Sequence, residues 1–402
     1  MLEAVRERSP GCLDELVVHL PGVYPTEALA AVERLGRRAD MDSVTLARLR
    51  RRGTADQTVL PPANPLPVPH PLDFDWRFSP SAVDRLVREC QSRSSGTRPV
   101  LLGAPSVFWA LRSVENMSPL LLDANPSVID ALGGTGGELH DARLCDLRRD
   151  RLPDEASAVV VVDPPWYREH ERLFLWAAAQ LCQLGGSVLV SVPAEGTRPG
   201  VKADREEALA WAGQLGFDVE AMEPGALGYV SPPFERNALA AVGLGGMPNE
   251  WRHGDLVVLR MREHTQTARP DCAVDDRWPE VMIGSVRVRV RGSEYSREVL
   301  DPRLRKLVPG DVLDTVSRRD PRRQNVAMWT TGNRVFAARS RDALLEVVRS
   351  LADGADPEAR AAALAGRRLT TAEKRNIRSA ARQVSAVVDA ERAELVAMGW
   401  AA

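Results

Sequence analysis

Four short apolar runs punctuate the middle of the chain: Pro99–Leu102, Pro119–Leu122, Ala158–Val162 and Ser187–Val192. They are rich in Val and Leu and lack polar alternation, which predicts strands buried on both faces, hence a parallel sheet covered by helices. Helical spacing fills the gaps in Val128–Leu132 and Arg172–Cys182 and returns in Glu206–Leu215. Leu239–Leu244 and Asp255–Arg260 are expected to close the sheet as a pair of strands. The fold class is therefore α/β, with a doubly wound core over residues 98–263.

The flanks have other patterns. Cys12–Leu20, Pro25–Leu35 and Met41–Arg52 predict three short helices in a head spanning residues 1–60. Such a head suits a helix-turn-helix or winged-helix unit, or equally a helical cap on the next domain. Residues 61–97 are expected to be linker and lead-in, because Pro61–Pro71 holds six prolines in eleven residues and cannot form a helix. After a polar connector at His264–Asp276, Val286–Arg291 reads VRVRVR, a period-two strand with Val on one face and Arg on the other. It opens a basic β-containing (α+β) module, residues 277–350, in which Arg287 to Arg349 include 15 basic and 8 acidic residues. Met328–Phe336 predicts a turn between strands, bending at Gly332 and Asn333. Pro357–Gly366 and Thr370–Met398 give a helical tail over residues 357–402.

Composition narrows the field modestly. The 402 residues are 44% hydrophobic and 27% charged, with a formal charge of -2, which excludes a uniformly basic nucleic-acid coat and an acidic disordered tail. No apolar run reaches the roughly 18–20 residues of a membrane helix, and the N-terminus lacks a signal-peptide apolar region, so a cytoplasmic, membrane-free location is expected. The five cysteines form no CxxC pair, an arrangement that suits a reducing compartment and predicts no metal site. Only three of the 53 basic residues are lysine, which reflects an arginine-biased coding preference more than a phosphate-binding adaptation.

The most informative stretch is VVVVDPPWY, Val159 to Tyr167. An apolar strand ends at Asp163, two prolines stiffen the turn, and ligands in open α/β sheets bind beyond the carboxyl ends of strands. Asp163 and the carbonyl of Pro164 are two acceptors able to hold an amine nitrogen with its lone pair aimed at an electrophile, and Trp166 offers a flat face for stacking. Pro165 and Tyr167 complete the acceptor side. A second proline-aromatic segment, Tyr229–Asn237, supplies Phe234 and Glu235 as candidates to wall and charge an acceptor pocket. The head and the Arg-rich 287–349 stretch, with Arg287, Arg289, Arg291, Arg318, Arg319, Arg322 and Arg323, are the candidates for contacting nucleic acid, against a solvated basic face.

DPPW resembles the [D/N/S]PP[Y/F/W] signature of class I S-adenosylmethionine-dependent amino-methyltransferases, including the N6-adenine type. RPVLLGAPSVFWAL (98–111) is similar to the family's first strand and glycine loop, LLLDANP (120–126) to its second strand, HDARLCD (140–146) to its adenine-side segment, and LCQLGGSVLVSVP to its turn into strand five. The resemblance implies a Rossmann-like class I core binding S-adenosylmethionine or its decarboxylated form, with Gly103 in the donor loop, Asp123 on the ribose and Asp141 on the adenine side, Asp146 competing for that role. LLGAPS, LLLD, HDAR and DPPW also resemble the branched-chain polyamine synthases, which move aminopropyl groups to a polyamine nitrogen. Ala104, Pro105 and Ser106 stand where that family has an acidic triplet, a departure that favours the intact donor. Methyl transfer to an amine, aminopropyl transfer to a polyamine and a non-catalytic nucleic-acid-binding module all remain open, as does oligomer formation.

Overall fold

A computed structural model describes residues 1–20, 22–38, 40–51, 64–133, 141–273, 277–292 and 300–401. The chain divides into two compact units, one of Met1–Pro67, Trp76–Ser231 and Gly246–Val274, the other of Val68–Asp75, Pro232–Gly245 and Asp275–Ala402.

The first unit opens with helices α1 (Leu2–Arg8), α2 (Leu13–Val18), α3 (Pro25–Arg37) and α4 (Ser43–Leu49). It continues with strands β1 (Arg77–Phe78), β2 (Val100–Leu102), β3 (Leu120–Asp123), β4 (Ala142–Leu144), β5 (Ser157–Val162), β6 (Cys182–Pro193), β7 (Phe217–Val230) and β8 (Arg252–Met261). Between them run α5 (Pro80–Arg93), α6 (Pro105–Leu111), α7 (Pro126–Gly133), α8 (Arg168–Leu181) and α9 (Val201–Gln214). The strands form one sheet in the order β1-β7-β8-β6-β5-β2-β3-β4, in which β4, β3, β2, β5 and β6 are parallel neighbours and β8, β7 and β1 antiparallel additions.

The apolar runs are buried on both faces. Val160 and Val162 pack with Val100, Leu102 and the inner side of α8 and α9, while Val159 and Val161 pack with Leu101, Leu121 and helices α5, α6 and α7. Each fully buried Val or Leu contributes about 1.5–3 kcal/mol, so the alternating cores on either side of β2, β3 and β5 hold the carboxyl ends of these strands in place. Ser79 starts α5 by accepting from the Ala82 N–H, ahead of Pro80 in the first turn. The head rests on the core: the Tyr24 ring meets Trp251 edge-on at 5.2 Å, and a Cβ added to Gly22 would lie 2.7 Å from that of Ala194. These contacts seat the head on the core.

Two expectations fail here. Leu239–Leu244 is not a strand; it overlaps the end of helix α10 (Pro233–Ala241), which belongs to the second unit. The strand that pairs with β8 is β7, whose exposed middle carries Asp218, Glu220 and Glu223 and therefore lacks an apolar run.

The second unit has a five-stranded sheet, in the order β11-β13-β12-β10-β9, from β9 (Glu280–Ile283), β10 (Val286–Val290), β11 (Arg305–Lys306), β12 (Met328–Thr330) and β13 (Val335–Ala337). Helices α11 (Arg341–Asp353), α12 (Pro357–Ala365) and α13 (Thr371–Ala397) follow. Val286, Val288 and Val290 pack with Leu344 and Val348 of α11 and with Val384, Val388 and Leu395 of α13. The alternation of β10 is real, but its arginine face is not open to solvent as read from the sequence. Arg287 is 0% exposed, bonding Asp73 at 2.6 Å and Glu280 at 2.8 Å, and Arg289 shares both carboxylates. Those two guanidiniums are engaged by protein carboxylates and are not displayed to a phosphate backbone.

The stretch expected to be a linker accordingly divides: 61–63 lie outside the described residues, and Val68–Asp75 is an integral part of the second unit. His70 Nε2 contacts the Trp329 carbonyl at 3.2 Å, and the Leu72 N–H donates to His70 Nδ1. Burial, with Arg289 and Arg287 nearby, holds the imidazole well below its usual pKa, so it is neutral. The Thr330–Asn333 turn is pinned by the buried Glu391, which accepts from the Thr330 hydroxyl and the Gly332 N–H.

Candidate functional site

The parallel strands place four residues along one edge of the sheet, at or just beyond their carboxyl ends: Gly103 after β2, Asp123 ending β3, Asp146 after β4 and Asp163 after β5. Leu102 pairs with Val162, so Gly103 and Asp163 emerge side by side, and the Asp163 N–H donates to the Leu102 carbonyl at 3.1 Å. Gly103 donates to the Leu122 carbonyl, next to Asp123. Its φ of 66° is left-handed, and an added Cβ would lie 3.2 Å from both the Asp163 carbonyl oxygen and the Phe174 ring. Only glycine brings this loop so close to the DPPW turn without strain. The Asp123 carboxylate accepts from the Asn125 N–H at 2.8 Å.

Asp163 is oriented by a residue that the sequence reading passed over. The Tyr229 hydroxyl, 2% exposed at the end of β7, donates to Asp163 Oδ1 at 2.7 Å and lies 2.5 Å from Ser191 Oγ. A carboxylate only accepts, so the proton order runs from Ser191 to Tyr229 to Asp163. Burial, then the Asp163 charge, hold the tyrosine well above its usual pKa, keeping it a donor. Phe78 at 4.8 Å and Trp166 at 5.5 Å fix its ring.

Trp166 is not the open stacking surface expected of it. The indole is 9% exposed; it meets Tyr229 edge-on, and Arg252 lies over its ring at 4.2 Å and over Trp76 at 4.1 Å. Its role in the structure is to wall the turn and hold Tyr229. Pro164 is buried, Pro165 is half-buried, and Tyr167 caps the start of α8.

Asp141 also departs from its expected place. It precedes β4, at the opposite edge of the sheet from Asp163, and is tied to Arg98 at 2.5 Å. The carboxyl-edge position is held by Asp146. Burial pushes its carboxyl up, but hydrogen bonds and charge from Arg148, with Arg149 beside it, hold it below the usual range. His140 lies outside the described residues. Phe234 and Glu235, both buried, sit in the first turn of α10 in the second unit.

A further group emerges beside the DPPW turn. Glu171, in the opening of α8, is 3% exposed, and its Oε1 is enclosed without a hydrogen-bond partner. Burial, only partly offset by Arg198, pushes this carboxyl up to about 7. The one sequence signal is a charge standing on the apolar side of α8, three residues before Phe174. Together, the Gly103 cradle and Asp123 at the neighbouring strand end fit a nucleoside donor. Among the described residues no group of three His, Cys, Asp or Glu is arranged to hold a metal, and no helix is long and apolar enough to cross a membrane.

The sheet order and its helical layers define a Rossmann-like class I methyltransferase fold. Among solved structures the chain is similar to the branched-chain polyamine synthase of Thermus thermophilus, in complex with N4-aminopropylspermidine and 5'-methylthioadenosine. That likeness has 15% identity and a TM-score of 0.50, over 68% of this chain and 89% of that chain. A mutein of that synthase matches at the same identity and TM-score, over 67% and 88%. A putative RNA methyltransferase from Pyrococcus horikoshii is 14% identical, with a TM-score of 0.34 over 48% of this chain and 90% of that chain. No family model and no curated protein matches the sequence.

Proposed function

We propose that the chain is an S-adenosylmethionine-type transferase that alkylates an amine nitrogen. The observation that carries this reading is Asp163, held by Tyr229 at the carboxyl edge and lying directly beside the Gly103 cradle. The donor, when bound, supplies an electrophilic carbon on a sulfonium. Asp163 accepts an N–H of the incoming amine and thereby aims its lone pair, with the Pro164 carbonyl as the second acceptor. Catalysis is then mainly proximity and orientation, together with exclusion of water by Trp166 and Tyr229. Asp123 receives the ribose hydroxyls, and Asp146 takes the adenine-side place.

Methyl transfer is the first reading, because Ala104-Pro105-Ser106 leave the donor loop uncharged and a neutral loop accommodates a donor that carries its own carboxylate. Aminopropyl transfer is the second, supported by the likeness to the polyamine synthase. Calorimetric titration with S-adenosylmethionine and with its decarboxylated form separates them. For either donor, Asp163→Ala is expected to abolish transfer while leaving donor affinity within about twofold. Equal loss of binding and transfer overturns the role given to Asp163.

A further inference from the structure

Arg252 begins β8 directly opposite Tyr229 of β7, which itself lies opposite Phe78 of β1. Residues opposite one another across a sheet project from the same face, so Arg252 leaves on the side where the Tyr229 hydroxyl holds Asp163. Its guanidinium carbon is 4.2 Å from the ring centre of Trp166 and 4.1 Å from that of Trp76. The cation thus fills a slot between two indoles, one of them supplied by the DPPW turn. Both indoles are held. Trp76 meets Trp251 edge-on at 5.9 Å, the Trp166 carbonyl accepts from Arg198, and Gly254 leaves room where a Cβ would lie 2.9 Å from Trp166 Cζ2. Arg252 and Trp76 are half-buried, so the stack reaches the molecular surface.

Indole faces beside a carboxylate are the surroundings that bind an alkylammonium, through cation–π attraction and ion pairing. Beside Asp163 those faces already hold the protein's own cation. Its charge is felt within the site: burial and then Asp163 raise the Tyr229 pKa, while Arg252 acts to lower it. A second cation placed there meets like charge, which disfavours the protonated form of a bound amine. An alkylamine is protonated near neutral pH and in that form has no lone pair to aim. An amine conjugated to an aromatic ring or a carbonyl is uncharged and still offers N–H groups to Asp163 and the Pro164 carbonyl.

We propose that Arg252 is a specificity-determining residue of the acceptor side, filling the aromatic slot beside Asp163 so that an uncharged conjugated amine is taken and a polycation refused. The assignment rests on the transferase reading and adds to it the class of acceptor. Two features of this chain then agree: the Ala104-Pro105-Ser106 loop carries no acid to attract a polycation, and the acceptor side carries a cation that repels one.

The test is calorimetry on the full chain loaded with 5'-methylthioadenosine, with spermidine as the polycationic probe. Wild-type protein is expected to bind spermidine more weakly than about 1 mM. Arg252→Ala vacates both indole faces and is expected to bind it at least about 10-fold more tightly. Arg252→Lys keeps a cation in the slot and is expected to stay within about twofold of wild type. Affinity for 5'-methylthioadenosine, within about twofold in every form, shows that the donor side is intact. If the alanine variant fails this check, Arg252→Gln, whose planar amide keeps the indoles apart, takes its place with the same expected gain. Micromolar spermidine binding by the wild-type protein, no gain in the uncharged variant, or an equal gain in Arg252→Lys overturns the assignment and leaves the transferase reading standing. If the wild-type protein binds neither 5'-methylthioadenosine nor S-adenosylmethionine, the transferase reading falls and takes the assignment with it.

Discussion

Asp163 and Tyr229 lie 66 residues apart yet are joined as one group, since the hydroxyl holds Oδ1 and thereby sets the direction of the carboxylate. Tyr229→Phe leaves the ring packing intact and removes that constraint. It is expected to lower kcat about 10-fold or more with donor affinity unchanged, as measured by single-turnover transfer alongside calorimetry. A parallel loss of kcat and donor binding would assign Tyr229 to packing alone. Asp163 was legible because an apolar strand runs straight into it. Tyr229 was not, because its partner is set by β7 returning beside β8, which no local pattern reports. The exchange of Asp141 for Asp146 has the same origin: five residues apart in sequence, the two occupy opposite edges of the sheet once β4 runs between them.

At the scale of elements, the Gly103 turn joins backbone conformation to site geometry. Gly103→Ala must adopt a left-handed φ and press a methyl against the Asp163 carbonyl and Phe174. The expected cost is about 1–3 kcal/mol in denaturant unfolding, with a matching fall in donor affinity; an unchanged midpoint would show the loop to be free to move. Strands buried on both faces were readable because every position is apolar. β7 escaped notice because its exposed middle is charged, with Arg85 and Arg93 of α5 pairing to Glu223 and Glu220. α10 was read as a strand because Leu239–Leu244 is a short apolar run of the kind that periodicity cannot divide between helix and strand.

At the scale of the molecule, two buried acids among the described residues contribute to the pH response near neutrality. Burial pushes both Glu171 and Glu391 up to about 7 from 4.5, so the folded state holds more protons than the unfolded between those values. Stability is therefore lost as pH rises through that window and stays lower above it, by on the order of 3 kcal/mol per group. His70 acts in the opposite sense below 6.5. The difference between the wild-type protein and the Glu171→Gln, Glu391→Gln double variant isolates the two acids: urea midpoints should diverge in favour of the variant as pH rises from 5 to 8. Curves that run parallel would remove both groups from the account.

The second unit was legible as a separate module but not in its membership, because proline content marked residues 61–71 as a tether and said nothing of Asp73. Asp73→Asn leaves the fully buried Arg287 with Glu280 as its remaining carboxylate and is expected to destabilise by about 3–5 kcal/mol, measured by calorimetric unfolding. A smaller loss, under about 1 kcal/mol, would mean that Glu280 suffices.

That pairing also imposes an order of events on the growing polypeptide. Asp73 leaves the ribosome about 200 residues before Arg287, a wait of roughly 10–40 s at ordinary synthesis rates. During this interval the strand that will carry its counter-ion does not exist. The intervening residues, which include the whole eight-stranded sheet, can settle first, while 68–75 must stay available until β10 emerges. Early-made chain and late-made chain thus close the second unit together, and a nascent protein stalled before β10 would carry an Asp73 whose counter-ion has yet to be made.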